Sequence, residues 1–448
     1  MSQFETFHAK RQAYIQSPAG ASELPLYASV DPETRSHELA MLYDNSYARC
    51  FLAEGGLRTS GGFGAFATSG GWESSAGGSG ILTASGGRSS LHHPRQNGHG
   101  QPPLRVIHVT TCAAQGGIEQ WLQSLMKFAD PARLKFVRCV VTGDCVDPQV
   151  AKGYRVPLEF GGKESVLRAC RDCDVLLVSD PAGIAEFAHE LDPPVCVMVA
   201  HGDGHWTRSR LHWMSSAIDH VVAVSELVKQ IVCDGFPTTV IHNGVDASRL
   251  AASMGRDAAR AKFGFRSDDF VLGWCGRFSE EKNPFAIIEA IARLPENFKA
   301  LLVGFGYLRP EMMDLANERI PGRYAVVRRD DYLGDVYQAM DAFSLTSFSE
   351  GFGLALLEAM MCRLPIVSTP VGLVHDVIED RVNVLVVDGE PDTIRDAVLQ
   401  LQGHAGWREA ISREGFRWAD QNGHASKMAQ AYADLLWSLW NARTAKAS

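Results

Sequence analysis

A chain of 448 residues has room for two or three domains, and its 46% hydrophobic and 21% charged content is ordinary for a globular protein. A formal net charge of -9 argues against a chain built to coat nucleic acid, so no nucleic-acid partner is expected. Met1–Gly20 lacks an apolar core and no stretch approaches about 18 uninterrupted apolar residues, which predicts neither a signal peptide nor a membrane-spanning helix.

Residues 1–103 differ in texture from the rest. Ser17–Tyr47 is largely polar, with short helical pieces expected around Arg35–Tyr47, and 12 of the chain's 42 glycines fall between Gly55 and Ser90. Such low-complexity sequence cannot bury enough apolar surface to offset its chain entropy, so disorder is predicted. His92, His93 and His99 extend it as a polar linker, with metal capture as the alternative to a flexible tail.

From Leu104 apolar runs recur at Arg105–Val109, Val137–Val141, Asp174–Val178, Val195–Ala200 and His220–Val224, most of them separated by helix-like segments. That alternation predicts a parallel sheet. Gly116-Gly117 after the first run could cradle a phosphate or simply allow tight packing. Cys170-Arg171-Asp172-Cys173 stands alone with no second pair at metal-ligand spacing, so no zinc site is expected; the choice lies between a redox pair and two ordinary cysteines at a helix end. The scattered cysteines fit a reducing, cytoplasmic compartment. His201-Gly202-Asp203-Gly204-His205 follows a strand at the end where doubly wound sheets place ligands, without a helical i, i+4 face to pre-organise metal ligands. Trp206–Trp213 mixes basic and aromatic residues, suited to an anionic acceptor, a membrane surface or a half-exposed helix. Ser225 is a candidate helix cap.

Asn243-Gly244 is a turn signal, and the domain boundary is placed near residue 240. Phe270–Cys275 reads as the next strand, followed by Arg277 and Lys282 around a loop. Asn283 and Pro284 are read as the N-cap and first turn of a helix to Leu294. Such a cation pair could clamp a diphosphate, Arg in fork geometry and Lys as a point charge, provided that Glu280 and Glu281 point elsewhere. Two solvated surface cations are the alternative. Ala300–Gly306 and Tyr324–Val327 supply further strands. Asp341–Leu345 then leads into Ser347-Phe348-Ser349-Glu350-Gly351-Phe352-Gly353, and Leu354 begins a helix with Leu354, Leu357, Glu358 and Met361 on one face. Strand, glycine loop and helix start aim free N–H groups at one point, and two carboxylates there can accept several hydroxyls of one ligand. The far C-terminus, with Met428, Tyr432, Leu435 and Leu439, is amphipathic.

The Ser-x-x-Glu-Gly-Phe-Gly run, a second Glu eight residues after the first, Glu-Ala-Met and the Leu364–Ser368 strand together resemble the nucleotide-sugar signature of family 4 retaining glycosyltransferases. The resemblance covers roughly residues 104 to 445. It implies an α/β GT-B architecture: two facing Rossmann-like parallel-sheet domains, an acceptor domain at 104–240 and a nucleotide-sugar domain at 241–423, then a helix at 424–448 crossing back to the first. By the same resemblance Glu350 contacts the transferred sugar and Glu358 the ribose hydroxyls. The amides around Phe352, Gly353 and Leu354 bind sugar and phosphate, and Gly116-Gly117 lies against donor phosphate and acceptor. His201 lies near the reacting sugar, and Arg277 and Lys282 bind the diphosphate. Arg328–Asp331, Arg363, Leu373, Asp376 and Val384 depart from the family pattern.

The expected function is thus metal-independent retaining transfer of a sugar from a nucleotide-diphosphate sugar to a hydroxyl acceptor. Beyond the donor substrate no cofactor and no metal are expected, and peripheral contact with the inner face of a membrane is left open. A nucleotide-sugar 2-epimerase and a non-catalytic sugar-nucleotide-binding protein are the alternatives.

Overall fold

The structure, a computed structural model, describes residues 101–447 except 115, 144–145, 329–332 and 378. The glycine-rich stretch, the histidines at 92, 93 and 99 and most of the Arg328–Asp331 departure lie outside the described residues.

Seven apolar runs form the first sheet: β1 (Leu104–Thr110), β2 (Leu134–Val141), β3 (Leu158–Phe160), β4 (Val175–Val178), β5 (Val195–Ala200), β6 (His220–Ala223) and β7 (Thr238–Val240). All pairings are parallel, in the order β3-β2-β1-β4-β5-β6-β7. β5 is buried at every position, as β-branched strands covered by helices on both faces are. The covering helices include α1 (Gly117–Phe128), α2 (Pro148–Lys152), α3 (Lys163–Asp172), α4 (His205–Trp213) and α5 (Glu226–Val232). Ser225 caps α5, its hydroxyl accepting from the Val228 amide at 3.2 Å. Cys170 ends α3 and Cys173 follows it; both are buried free thiols, and burial pushes the Cys170 thiol up to about 11.

The second sheet follows helix α6 (Arg256–Lys262). Its strands are β8 (Phe270–Arg277), β9 (Phe298–Phe305), β10 (Tyr324–Val327), β11 (Ala342–Leu345), β12 (Ile366–Ser368) and β13 (Leu385–Val386), again all parallel, in the order β10-β9-β8-β11-β12-β13. Between them run α7 (Phe285–Ala292), α8 (Arg309–Arg319), α9 (Leu333–Ala339), α10 (Leu354–Met361) and α11 (Leu373–Val377). Helices α12 (Pro391–Gly403), α13 (Ala405–Asn422) and α14 (Ala425–Ala447) finish the chain.

Two local expectations change. α7 starts at Phe285 with Pro284 as its cap, whereas Asn283 adopts φ 47 at the end of a 3₁₀ turn and its amide donates to the Gly389 carbonyl at 3.2 Å. On α14 the fully buried stripe is Met428, Tyr432, Leu436 and Trp440, and Leu435 and Leu439 only flank it. That stripe lies on α1: Tyr432 packs 5.7 Å from Trp121, Arg133 pairs with Asp434 at 2.6 Å, and the Trp437 indole donates to the Arg133 carbonyl at 3.1 Å.

Each sheet reverses direction once, between β1 and β4 in the first and between β8 and β11 in the second. Loops at the carboxyl ends of strands beside such a switch point form a crevice, and the candidate site residues lie at the carboxyl ends of β1, β5, β8 and β11 or in the first turns of the helices that follow.

Candidate active site

Gly116-Gly117 follow β1, His201 follows β5, Arg277 ends β8, Lys282 lies just beyond it, and Glu350 to Glu358 follow β11. The glycine loop of the second domain meets the first domain directly. A Cβ added to Gly351 would sit 1.8 Å from the His201 carbonyl oxygen, so only glycine permits this approach. The Ser225 hydroxyl donates to the Gly351 carbonyl at 2.7 Å, and Ser349 donates to Asp203. Gly353, at φ 88, turns the chain into α10. Phe352 is buried near the His242 ring, and its carbonyl accepts from the Leu373 amide at 2.8 Å.

The N-cap residues of α1 and α10 are Gly116 and Gly353, which bring no side chain to cap the first turn, although the Glu119 carboxyl accepts from its own backbone N–H. The two starts come together: a Cβ on Gly117 would lie 3.7 Å from Leu354 Cδ1. Both Glu358 oxygens are held, by Gln120 Nε2 at 2.6 Å from the first domain and by the Tyr337 hydroxyl at 2.7 Å, and Glu358 is 1% exposed. Gln120 and Tyr337 carry no motif of their own. Gln120 falls one residue after Gly-Gly-x-Glu, which is the only signal that could have marked it.

Lys282 Nζ lies 2.9 Å from Glu350 Oε1 and donates to the Ser349 carbonyl at 3.2 Å, while Ser347 donates to the same Glu350 oxygen at 2.9 Å. Arg277 Nη1 lies 3.9 Å from Glu281 Oε1. Glu281 therefore does not turn away as the sequence reading requires. Its burial disfavours ionisation, yet the Arg277 and Lys282 charges outweigh that and hold its carboxyl below the usual range.

Three groups stand behind this front row. Burial pushes Glu119 up to about 8 against the pull of Arg277 from the opposite domain. His201 is lowered to about 3 by burial, rests edge-on against Trp121 at 4.7 Å, and its Nε2 is buried without a hydrogen-bond partner. His108, also lowered to about 3 by burial and by His201, bridges Cys139 at 3.1 Å and Ser179 at 2.9 Å. At neutral pH His201 is thus a neutral hydrogen-bonding group rather than a cation. Arg210 on α4 is turned to Asp180 at 3.4 Å. Among the described residues no cluster of three or more His, Cys, Asp or Glu is arranged to hold a metal ion, and no helix is long and apolar enough to cross a membrane.

Two Rossmann-like parallel-sheet domains facing each other across loops of this kind define a GT-B protein. The solved structures agree: the Anabaena protein HepE, crystallised with UDP and glucose, superimposes with a TM-score of 0.67 at 19% identity, over 75% of this chain and 100% of that one. Sucrose-phosphate synthase from Thermosynechococcus elongatus gives 0.63 at 17% identity, over 76% and 100%. The family model Glycosyl transferases group 1 matches residues 255–418, and Glycosyltransferase Family 4 matches residues 128–249. The chain belongs to the family 4 glycosyltransferases. Among curated relatives, the D-inositol 3-phosphate glycosyltransferase of Mycolicibacterium smegmatis is 31% identical over 211 residues, 44% of this chain and 48% of the relative. The putative teichuronic acid biosynthesis glycosyltransferase TuaC of Bacillus subtilis is 25% identical over 214 residues, 47% and 54%. The chain spans about half the length of these curated relatives.

Proposed function

We infer that the protein moves a sugar from a nucleotide-diphosphate sugar to a hydroxyl acceptor, with retention of anomeric configuration and without a metal ion. The observation that carries this reading is the meeting of two uncapped helix starts with Arg277 and Lys282 in one interdomain crevice. Guanidinium, ammonium and helix N–H groups are the donors a leaving diphosphate needs, and fixed donors cost no reorganisation as charge develops. Both cations already hold carboxylates, so donor binding exchanges Glu281 and Glu350 for phosphate oxygens. Glu350, freed from Lys282, faces the sugar. Glu358 takes the ribose hydroxyls by giving up Gln120. With two carboxylates committed to binding, the leaving phosphate itself accepts the acceptor's proton, and His201 positions that acceptor from the first domain. The UDP and glucose bound by HepE and the inositol phosphate in the relatives' names agree with such a donor and a polyol acceptor.

The test is a calorimetric titration of wild type and Glu358→Ala with UDP-, GDP- and ADP-sugars, without metal. Binding of one nucleotide class, weakened about tenfold or more (~1.4 kcal/mol) in the variant, supports the donor site and names the base. No binding across the panel by folded protein overturns the reading. NMR of the product then tells retained from inverted linkage, and an epimer formed without acceptor would assign an epimerase instead.

A further inference from the structure

A cavity of about 420 Å³ opens at the opposite end of the second sheet from the crevice. It lies beneath the amino ends of β11 and β12, and Arg256, Asp341, Arg363, Arg408, Glu409 and Ser412 line it. Its size is that of a small-molecule site.

The charges around it do not balance. Asp341 is shared by Arg256, at 2.5 Å, and by the buried Arg260. Arg363 and Arg408 have no ion-pair partner among the described residues; Arg408 donates to the Leu401 carbonyl at 3.2 Å, and the Arg363 guanidinium stacks 3.7 Å over the Phe416 ring. Three guanidiniums, those of Arg256, Arg363 and Arg408, thus line the cavity with two carboxylates, Asp341 and Glu409, while Asp257 also acts on Arg256. Burial above all pushes Arg256 below its usual range, with Arg260 and Arg408 adding to it and Asp341 and Asp257 opposing it. Arg363 also sits at φ 58, a conformation that disfavours any side chain, so the guanidinium is presented to the cavity against a local backbone penalty. Planar guanidiniums lining one cavity match the oxygens of a phosphate group, which accepts forked hydrogen bonds from them. The first turn of α13, at Ala405 and Gly406, adds backbone N–H groups to the same wall.

We propose that this rear cavity is a second ligand site, separate from the donor crevice, that binds the phosphate group of free phosphate or of a small organic monophosphate. α10 connects the two places. Its first residue, Leu354, belongs to the donor loop, and Arg363 follows its last turn, so a ligand held by Arg363 bears on the far end of the helix that carries the donor amides.

The experiment titrates inorganic phosphate into the full chain and into three variants. Arg363→Gly removes one guanidinium while relieving the left-handed backbone, and the Ser412 hydroxyl keeps its bond to the residue 363 carbonyl, so this variant folds. Arg408→Gln removes a second guanidinium, and Arg277→Gln serves as the crevice control. Saturable binding that weakens about tenfold or more in Arg363→Gly and Arg408→Gln, and changes less than about twofold in Arg277→Gln, is the expected result. Weakening confined to Arg277→Gln, or no saturable binding by wild type up to about 10 mM phosphate, overturns the proposal. Glucose 6-phosphate run in parallel separates the sources. Tighter binding than phosphate's, lost in Arg363→Gly, assigns an organic monophosphate; equal binding assigns the free ion.

Discussion

Glu119 and His108 are buried in the first domain, His201 is half-buried beside them, and the acid and the two bases titrate in opposite senses. Each histidine has a folded pKa of about 3 against 6.5 unfolded, so the unfolded chain binds the extra proton and stability is lost as pH falls below 6.5. Glu119 has a folded pKa of about 8 against 4.5, so here the folded chain binds the extra proton. Its contribution is fully present below 4.5 and is lost as pH rises to about 8. From these three groups stability peaks near pH 6.5, with a descending alkaline limb of up to about 1.4 kcal/mol per pH unit. Glu119→Gln should flatten that limb between pH 6.5 and 8 in urea denaturation and steepen the rise between pH 4.5 and 6.5, where the carboxyl opposes the two histidines. An alkaline limb of equal slope in the variant would show that Glu119 is ionised in the folded protein. Little of this was legible in the sequence. Glu119 appears there as the fourth letter of a loop spelling, and His108 as one residue of a strand. Burial comes from Trp121, α14 and the opposite domain, which no local pattern records.

The loop from Ser347 to Gly353 is the element on which the site depends. Gly351→Ala puts a methyl group 1.8 Å from the His201 carbonyl, backbone against backbone, which neither side can relieve by turning a rotamer. The expected outcome is a cost of about 1–3 kcal/mol in stability and about a hundredfold in kcat/KM, because a shift near 1 Å at the loop displaces Glu350 from the position proposed for it against the sugar. Unchanged kinetics would mean that the two domains do not meet here during catalysis. Ser225→Ala removes a helix cap and the bond to Gly351 together, and should cost about 1–2 kcal/mol by denaturation. At this scale the sequence is largely readable. The β11 strand, the glycine loop and the start of α10 lie within one residue of expectation, because apolar run, glycine and good helix formers agree with each other there. The exceptions have local causes. Asn283-Pro284 spells a helix cap, but the left-handed Asn283 sends its side chain to Gly389. Glu281 was expected to face away, yet two cations at the end of β8 attract the carboxylate beside them.

Over the whole molecule, the alternation of strands and helices was enough to read a parallel sheet, whereas two such sheets facing each other were expected only from the family resemblance. Gln120 meets Glu358 across 238 positions and Asp203 meets Ser349 across 146, and periodicity carries no information at such separations. α14 holds the first domain from outside, with Tyr432 fully buried against Trp121. Tyr432→Ala should cost about 3–5 kcal/mol, as other large-to-small aromatic truncations in a core do, and calorimetric unfolding would measure it. A loss below about 1 kcal/mol would mean that the helix adds little to that domain's stability.

The chain passes between the domains twice, and the two passages touch. The Val245 amide donates to the Gly423 carbonyl at 2.8 Å, the Ala425 amide donates to Val245 at 3.0 Å, and Gly244 lies flat against Ala425 because a Cβ there would fall 2.5 Å from its Cα. The two covalent links between the domains thus lie side by side and are fastened to each other rather than standing apart. The Gln120–Glu358 and Asp203–Ser349 hydrogen bonds join the same two domains at the crevice. A substitution at Gly244 therefore disturbs both crossings at once, because its neighbour Ala425 belongs to the other.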